Sequence, residues 1–234
     1  MSETINNITA AIRKAYPYKT ELHAHTNPVS DCSEVAPRKL AELYKELGYT
    51  AVCLTNHLDL GMGCTPEFWL GDYFEAKAVG DEIGINVILG AEVCLPGCDN
   101  HYLLYGLDPE DIPELFENLG RSVEEFSRIY RARGCFFNHA HPFRPGTDHA
   151  DFALFDGVEA FNIHPKHNSK VARAARIARS EGKILTAGTD YHDYGDEGLS
   201  AMLSALEPKT PADVAAILKS GDFLLEVGGC IVIP

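Results

Sequence analysis

The chain has 234 residues, 45% of them hydrophobic, and a formal charge of -14 from 20 Lys and Arg against 34 Asp and Glu. That apolar content is enough to bury a core. The negative charge repels a nucleic-acid backbone or an anionic membrane surface, which excludes long polynucleotides as substrates and suits bound divalent cations. Without linker, repeat or low-complexity tract, residues 1–234 read as one domain. Residues 1–18 hold no signal-like apolar core, and no apolar run is long enough to cross a bilayer, so a cytoplasmic protein is expected. Seven cysteines, an odd number with no zinc-ribbon spacing, imply reduced thiols. Cys94 and Cys98 flank Leu-Pro-Gly and could bridge under oxidation, although two small thiols are the simpler reading.

After a polar N-terminal stretch, Glu21-Leu22-His23-Ala24-His25 reads as a first strand whose two histidines share a face at its C-terminal end. Residues 37–47 place Leu40, Leu43, Tyr44 and Leu47 at helical spacing, with Gly48 as a stop. The apolar run 51–55 is a buried strand with His57 at its mouth, and a helix spans 66–83. Residues 87–92 repeat the device and deliver Glu92. A fourth strand, 101–107, begins rather than ends with its histidine.

Ser122 and Glu125 have the spacing of a capping box ahead of a helix ended by Gly134. The chain then enters Cys135 to Pro142. Residues 157–162 form a sixth strand, 168–181 an alanine-rich helix, and 183–188 a seventh strand leading to Asp190 and His192. Thr210-Pro211 opens a last helix closed by Gly221, and 223–227 and 231–233 are short apolar strands. Strands alternating with helices call for parallel strands and crossover helices, and seven of them favour a (βα)7 TIM-like barrel over an open sheet. No glycine-rich phosphate loop follows any strand. In such barrels the chemistry sits at the C-terminal mouths.

Those mouths carry His23, His25, Asp31, His57, Glu92, His101, His141, Asp190 and His192. Imidazoles and carboxylates repeated across distant segments have no structural reason, and N/O donors of this kind suit zinc, manganese or iron.

The order His-x-His, Ser30-Asp31, Thr55-Asn56-His57, Gly90-Ala91-Glu92, His101, Ala140-His141-Pro142-x-Arg144 and Gly188-Thr189-Asp190-x-His192 resembles the polymerase and histidinol phosphatase (PHP) family of phosphoesterases. The likeness covers about residues 19–200. It implies a distorted seven-stranded barrel with two or three metal ions. Position by position, it implies that His23, His25, Glu92 and Asp190 hold a first ion. Glu92 would bridge to a second held by His101 and His141, and Asp31, His57 and His192 would hold a third. Cys32, Asn56 and Phe143 depart from the family's glycine, aspartate and glycine, which alters pocket walls rather than ligands.

His139 reads either as a hydrogen-bonded histidine one layer below the metals, on the face of His141, or as a further ligand. Arg144 suits bidentate phosphate binding, with His164, Lys166 and His167 as candidates to complete an anion pocket. Asp148 and His149 have no catalytic part. The resemblance therefore implies hydrolysis of a small phosphomonoester by a metal-activated water, with Glu92, Asp190 and Arg144 central and no protein nucleophile. Two alternatives are an amidohydrolase-type C–N hydrolase, which also begins with His-x-His but typically bridges its metals through a lysine or carboxylate, and a non-catalytic metal-binding barrel.

Overall fold

The computed structural model describes residues 2–148 and 150–234, residues 2–6 by their backbone alone, and His149 lies outside the described residues. The strands are β1 (Tyr18–Ala24), β2 (Ala51–Leu54), β3 (His57–Leu58), β4 (Asn86–Cys94), β5 (His101–Tyr105), β6 (Phe136–His139), β7 (Gly157–Asn162), β8 (Ile184–Gly188), β9 (Ser200–Ser204), β10 (Phe223–Val227) and β11 (Cys230–Val232). The helices are α1 (Ser2–Ala15), α2 (Pro37–Glu46), α3 (Pro66–Ile83), α4 (Ile112–Asn118), α5 (Val123–Ala132), α6 (Val171–Ser180) and α7 (Pro211–Ser220). Helix starts follow from their caps. Thr65 accepts from the Phe68 N–H, Ser122 from the Glu125 N–H, and Thr210 and Asp213 form a reciprocal box.

One sheet runs in the order β11-β10-β9-β1-β2-β4-β5-β6-β7-β8, with β3 pairing to β4 off this path. The β1-to-β8 part curls until its ends meet: Ala24 bridges Tyr191 in parallel, and the His25 N–H donates to the Tyr191 carbonyl at 2.9 Å. The sheet therefore has more strands than the seven the sequence suggests, and it is not uniformly parallel. Strands β9, β10 and β11 add an antiparallel extension beside β1. Strand β5 runs antiparallel to both β4 and β6, because residues 95–100 form a turn too short for a crossover helix. Helices α1 and α4 are also absent from the sequence reading. The first is polar and is tied to the sheet by Arg13, which meets Glu226 at 2.9 Å.

Apolar side chains fill two layers. Between sheet and helices, Leu40, Trp69, Phe126 and Ala174 pack against Val52, Leu89 and Val158. Inside the curl, Leu22, Cys53, Ile88 and Phe136 pack with Val214 and Leu218 of α7. Fully burying each large side chain contributes about 1.5–3 kcal/mol. Two packed layers thus hold the strand ends in fixed register. Where the register slips, between Glu21 and Ala24 of β1, Glu21 turns toward α2 and accepts from the Tyr44 hydroxyl at 3.1 Å.

Candidate metal centre

The end of β1 presents His23 and His25 around Ala24, which packs in the outer core. Glu92 lies near the end of β4, opposite His57 in the β3–β4 ladder. The antiparallel course of β5 explains why its histidine comes first: Cys94 pairs with His101, so the start of β5 lies at the mouth where β4 ends. His141 follows β6, and Asp190 and His192 follow β8.

These side chains converge on two carboxylates. Glu92 lies 2.9 Å from His57 Nδ1, 2.9 Å from His141 Nε2, 3.2 Å from His101 Nδ1, and 3.4 Å from the Nε2 atoms of both His23 and His25. Asp190 Oδ1 lies 3.4 Å from His23 Nε2 and 3.5 Å from both His25 Nε2 and His192 Nδ1. Three groups of potential donors have ligand atoms within 4.8 Å of one another: His23, His25, Glu92 and Asp190; His57, Glu92 and His101; and His25, His57 and His192. His57 belongs to two of them.

Residues the sequence reading missed hold this arrangement. Glu159, the one charge in strand β7, accepts from His23 Nδ1 at 2.7 Å and, through its other oxygen, from the His141 N–H at 2.9 Å and Asn162 Nδ2 at 3.0 Å. Asn162 Nδ2 also reaches Asp190 at 3.1 Å. A carboxylate inside the apolar run Val158–Phe161 was the available signal. Glu21 accepts from the backbone N–H of Leu22, His23 and Thr189, fastening β1 to the segment that carries Asp190. Gly188 makes the close approach possible: a Cβ there would lie 2.0 Å from Glu159 Oε1 and 2.6 Å from His23 Cβ.

The centre is closed and electrostatically loaded. His23, His25, Glu92, His141 and Asp190 are at most 1% exposed. Burial raises the pKa of Glu92, but the imidazoles of His23, His101 and His57 outweigh it and hold the carboxyl well below its ordinary range. Burial likewise opposes the shift at Asp190, which His23 and His25 keep well below its ordinary value. Against burial, Glu92 pushes His57 and His101 up to about 10. His25 is driven well below its ordinary value by burial and by His192 and His57.

Buried His23 Nε2, His25 Nε2, Glu92 Oε2, His141 Nδ1 and Asp190 Oδ1 have no hydrogen-bond partner. Such atoms are costly unless something completes them. Imidazole nitrogens and carboxylate oxygens that share a space are the donor set of a zinc, manganese or iron site, and the fit to divalent ions is good.

Arg144, His164, Lys166 and His167 line one cavity of about 300 Å³ with His57, His101 and His192. Arg144 donates to Asp190 Oδ2, and its buried Nε has no partner. Lys166 is paired with Asp193 at 2.6 Å. His164 is lowered to about 4, and His167 is also lowered, in both cases chiefly by burial. Phe143 holds φ at 73°, in the left-handed region that favours glycine, and Arg173 lies 4.2 Å over its ring.

Three expectations need correcting or qualifying. Asp31 is exposed and, like His141, joins none of the ligand groups among the described residues; with Cys32, which is also exposed, it lines a cavity beside His57 and His101. His139 does not share the face of His141. It sits in the outer aromatic layer, stacked on Phe155 at 5.0 Å between ring centres, and neither ring nitrogen has a hydrogen-bond partner. The backbone turns at His141, whose φ is 26°, and this breaks the two-residue alternation. Asp148 caps a loop, accepting from the Asp99 N–H at 3.1 Å. Cys94 and Cys98 are free thiols. No helix of the described residues is long and apolar enough to cross a membrane.

Residues 21–185 match the family model of the PHP domain. No curated protein sequence matches the chain significantly. Several solved structures share the fold. A protein from Bifidobacterium adolescentis assigned as a metal-dependent phosphoesterase superposes with a TM-score of 0.59 at 18% identity, over 85% of this chain and 95% of that one. A two-domain protein from Bacteroides vulgatus containing a PHP-like metal-dependent phosphoesterase gives 0.61 at 16%, over 90% of this chain and 64% of that one. An amidohydrolase from Chromobacterium violaceum, with bound sulfate and no metal, gives 0.55 at 15%, over 76% and 89%.

Proposed function

The chain belongs to the PHP family, and from that membership we propose that it hydrolyses a small phosphomonoester at a centre of two or three divalent ions, zinc, manganese or iron. Residues 1–234 form one domain in this reading. The observation that carries it is the convergence of unpartnered buried atoms on one space: His23 Nε2 and His25 Nε2 lie 3.4 and 3.5 Å from Asp190 Oδ1, and His25 Nε2 lies 3.4 Å from Glu92 Oε2. When bound, the ions would supply an acidified water and positive charge facing the phosphoryl oxygens.

The chain's own residues do the rest. His23, His25, Glu92 and Asp190 hold one ion, and Glu92 is shared with a second held by His101 and His141. His57 and His192 serve a third position, from which exposed Asp31 is omitted. Glu159 fixes the His23 ring by its Nδ1 atom, which leaves Nε2 facing the centre. Arg144 balances Asp190 and offers its remaining N–H groups to the cavity that His164, Lys166 and His167 also line, a setting suited to a phosphate dianion. The acidic surface favours a small substrate over a polynucleotide. Carbon–nitrogen hydrolysis with a bridging lysine is disfavoured, since Lys166, the lysine that lines the cavity, is paired with Asp193 at 2.6 Å.

The test is release of p-nitrophenol from p-nitrophenyl phosphate with added manganese or zinc. Turnover abolished by chelation and restored by metal supports the assignment. Metal-loaded protein inert toward a panel of phosphomonoesters would reject it.

A further inference from the structure

We propose that Asp72 of helix α3 is a positioning residue for the metal centre: through Asn56 and Ser30 it orients His25 and His57, and Asn56 and Asp72 act as a matched amide–carboxylate pair. The inference rests on the metal-binding reading above and concerns residues that touch no ion.

Four polar side chains from three segments are shut away together. Thr26, Ser30, Asn56 and Asp72 are at most 4% exposed. Asp72 is the one charge among the buried residues of α3, beside Trp69, Tyr73 and Ala76. A carboxylate so placed needs donors. Its Oδ2 accepts from the Thr26 hydroxyl at 2.8 Å, and from the Val29 N–H and Asn56 Nδ2 at 3.2 Å each.

These bonds fix which end of the Asn56 amide is which. The Thr26 N–H can only donate, so the atom it meets at 2.7 Å is Oδ1, and Nδ2 turns to Asp72 and to Thr26 Oγ1, the latter at 3.0 Å. Oδ1 also takes the single hydroxyl proton of Ser30, at 3.0 Å. With that proton committed, Ser30 Oγ can only accept, from the His57 N–H at 3.0 Å and from His25 Nδ1 at 3.4 Å. His25 thereby keeps its proton on Nδ1 and turns the Nε2 lone pair toward Glu92 and Asp190, the form a metal ligand needs.

Aspartate at position 56 would put an oxygen where Nδ2 now donates to Asp72. Two buried carboxylates at that spacing repel, which pushes the side chain off Ser30. The chain's departure from the family's aspartate at this position is thus matched to the carboxylate that α3 brings to it.

Zinc affinity of the full chain, measured by competition with a chelator, tests the relay. Asn56→Asp should weaken binding about 10–100-fold. Asp72→Asn should change little alone, because an amide oxygen can take the place of Oδ2, and should restore most of the loss when combined with Asn56→Asp. Ser30→Ala should lower affinity about tenfold with the circular dichroism unchanged, and it carries the test if the aspartate variant does not fold. A lower melting temperature with unchanged zinc affinity in Asn56→Asp, a loss that Asp72→Asn does not relieve, or full affinity in Ser30→Ala would overturn the relay and leave the phosphoesterase reading standing. Wild-type chain that takes up no zinc would end both, so the two failures are distinguishable.

Discussion

The cage around Glu92 and the aromatic layer around His139 are both closed to solvent and both contain histidine nitrogens without hydrogen-bond partners, yet only one has the makings of a binding site. In the cage, unpartnered atoms from the end of β1, from β4 and from the segment after β8 face one another across a shared space, with carboxylates among them. Around His139, the neighbours are Tyr102, Phe152 and Phe155, and among the described residues no carboxylate pairs with it. An isolated buried imidazole is packing. Convergent ones interleaved with carboxylates call for a cation.

Substitutions can break or sharpen this contrast. The largest effect is expected from Glu92→Ala, which removes the oxygen atoms shared by the imidazoles. Bound metal should fall and phosphatase activity should drop by about a thousandfold or more while the circular dichroism of the fold persists. Unchanged metal content by elemental analysis would remove the reason for treating the cage as a unit. Glu159→Gln should weaken metal affinity by about 10–100-fold, measured by competition with a chelator, because it loosens the orientation of His23 without touching an ion. Arg144→Ala should raise KM by roughly tenfold with a smaller loss in kcat, read from steady-state kinetics.

His139→Phe should have the smallest effect. Metal content stays the same and stability at neutral pH changes by about 1 kcal/mol or less, since the ring gives up no hydrogen bond. Burial pushes the His139 pKa down to about 3 from 6.5. Its contribution to stability is therefore present above the ordinary histidine range and lost as pH falls toward the folded-state value, while the unfolded chain takes up the proton. Denaturant titrations between neutral and acid pH should show a shallower acid decline in the phenylalanine variant.

Much of the centre was legible because strand geometry repeats every two residues. His23 with His25 keeps a shared orientation around Ala24, and apolar runs ending in His57 and Glu92 mark buried strands with polar mouths. Helix starts at Thr65, Ser122 and Thr210 were readable from capping chemistry. What stayed hidden depends on backbone turns and tertiary partners. The turn at His141 brings that side chain to the centre while His139 stays in the outer layer with Phe137, and the part Glu159 plays depends on its bond to His23 across the sheet. The short apolar run of β9 does not announce a strand until β1 and β10 pair with both its edges.

That pairing has a consequence for handling the protein. Because β9 and β2 bond β1 on its two sides, the amides of β1 should rank among the slowest to exchange with deuterated solvent, with or without ions. Stripping the centre would then empty a scaffold already set in place, and cycles of depletion and reconstitution should proceed without refolding, unlike small domains whose metal is their fold.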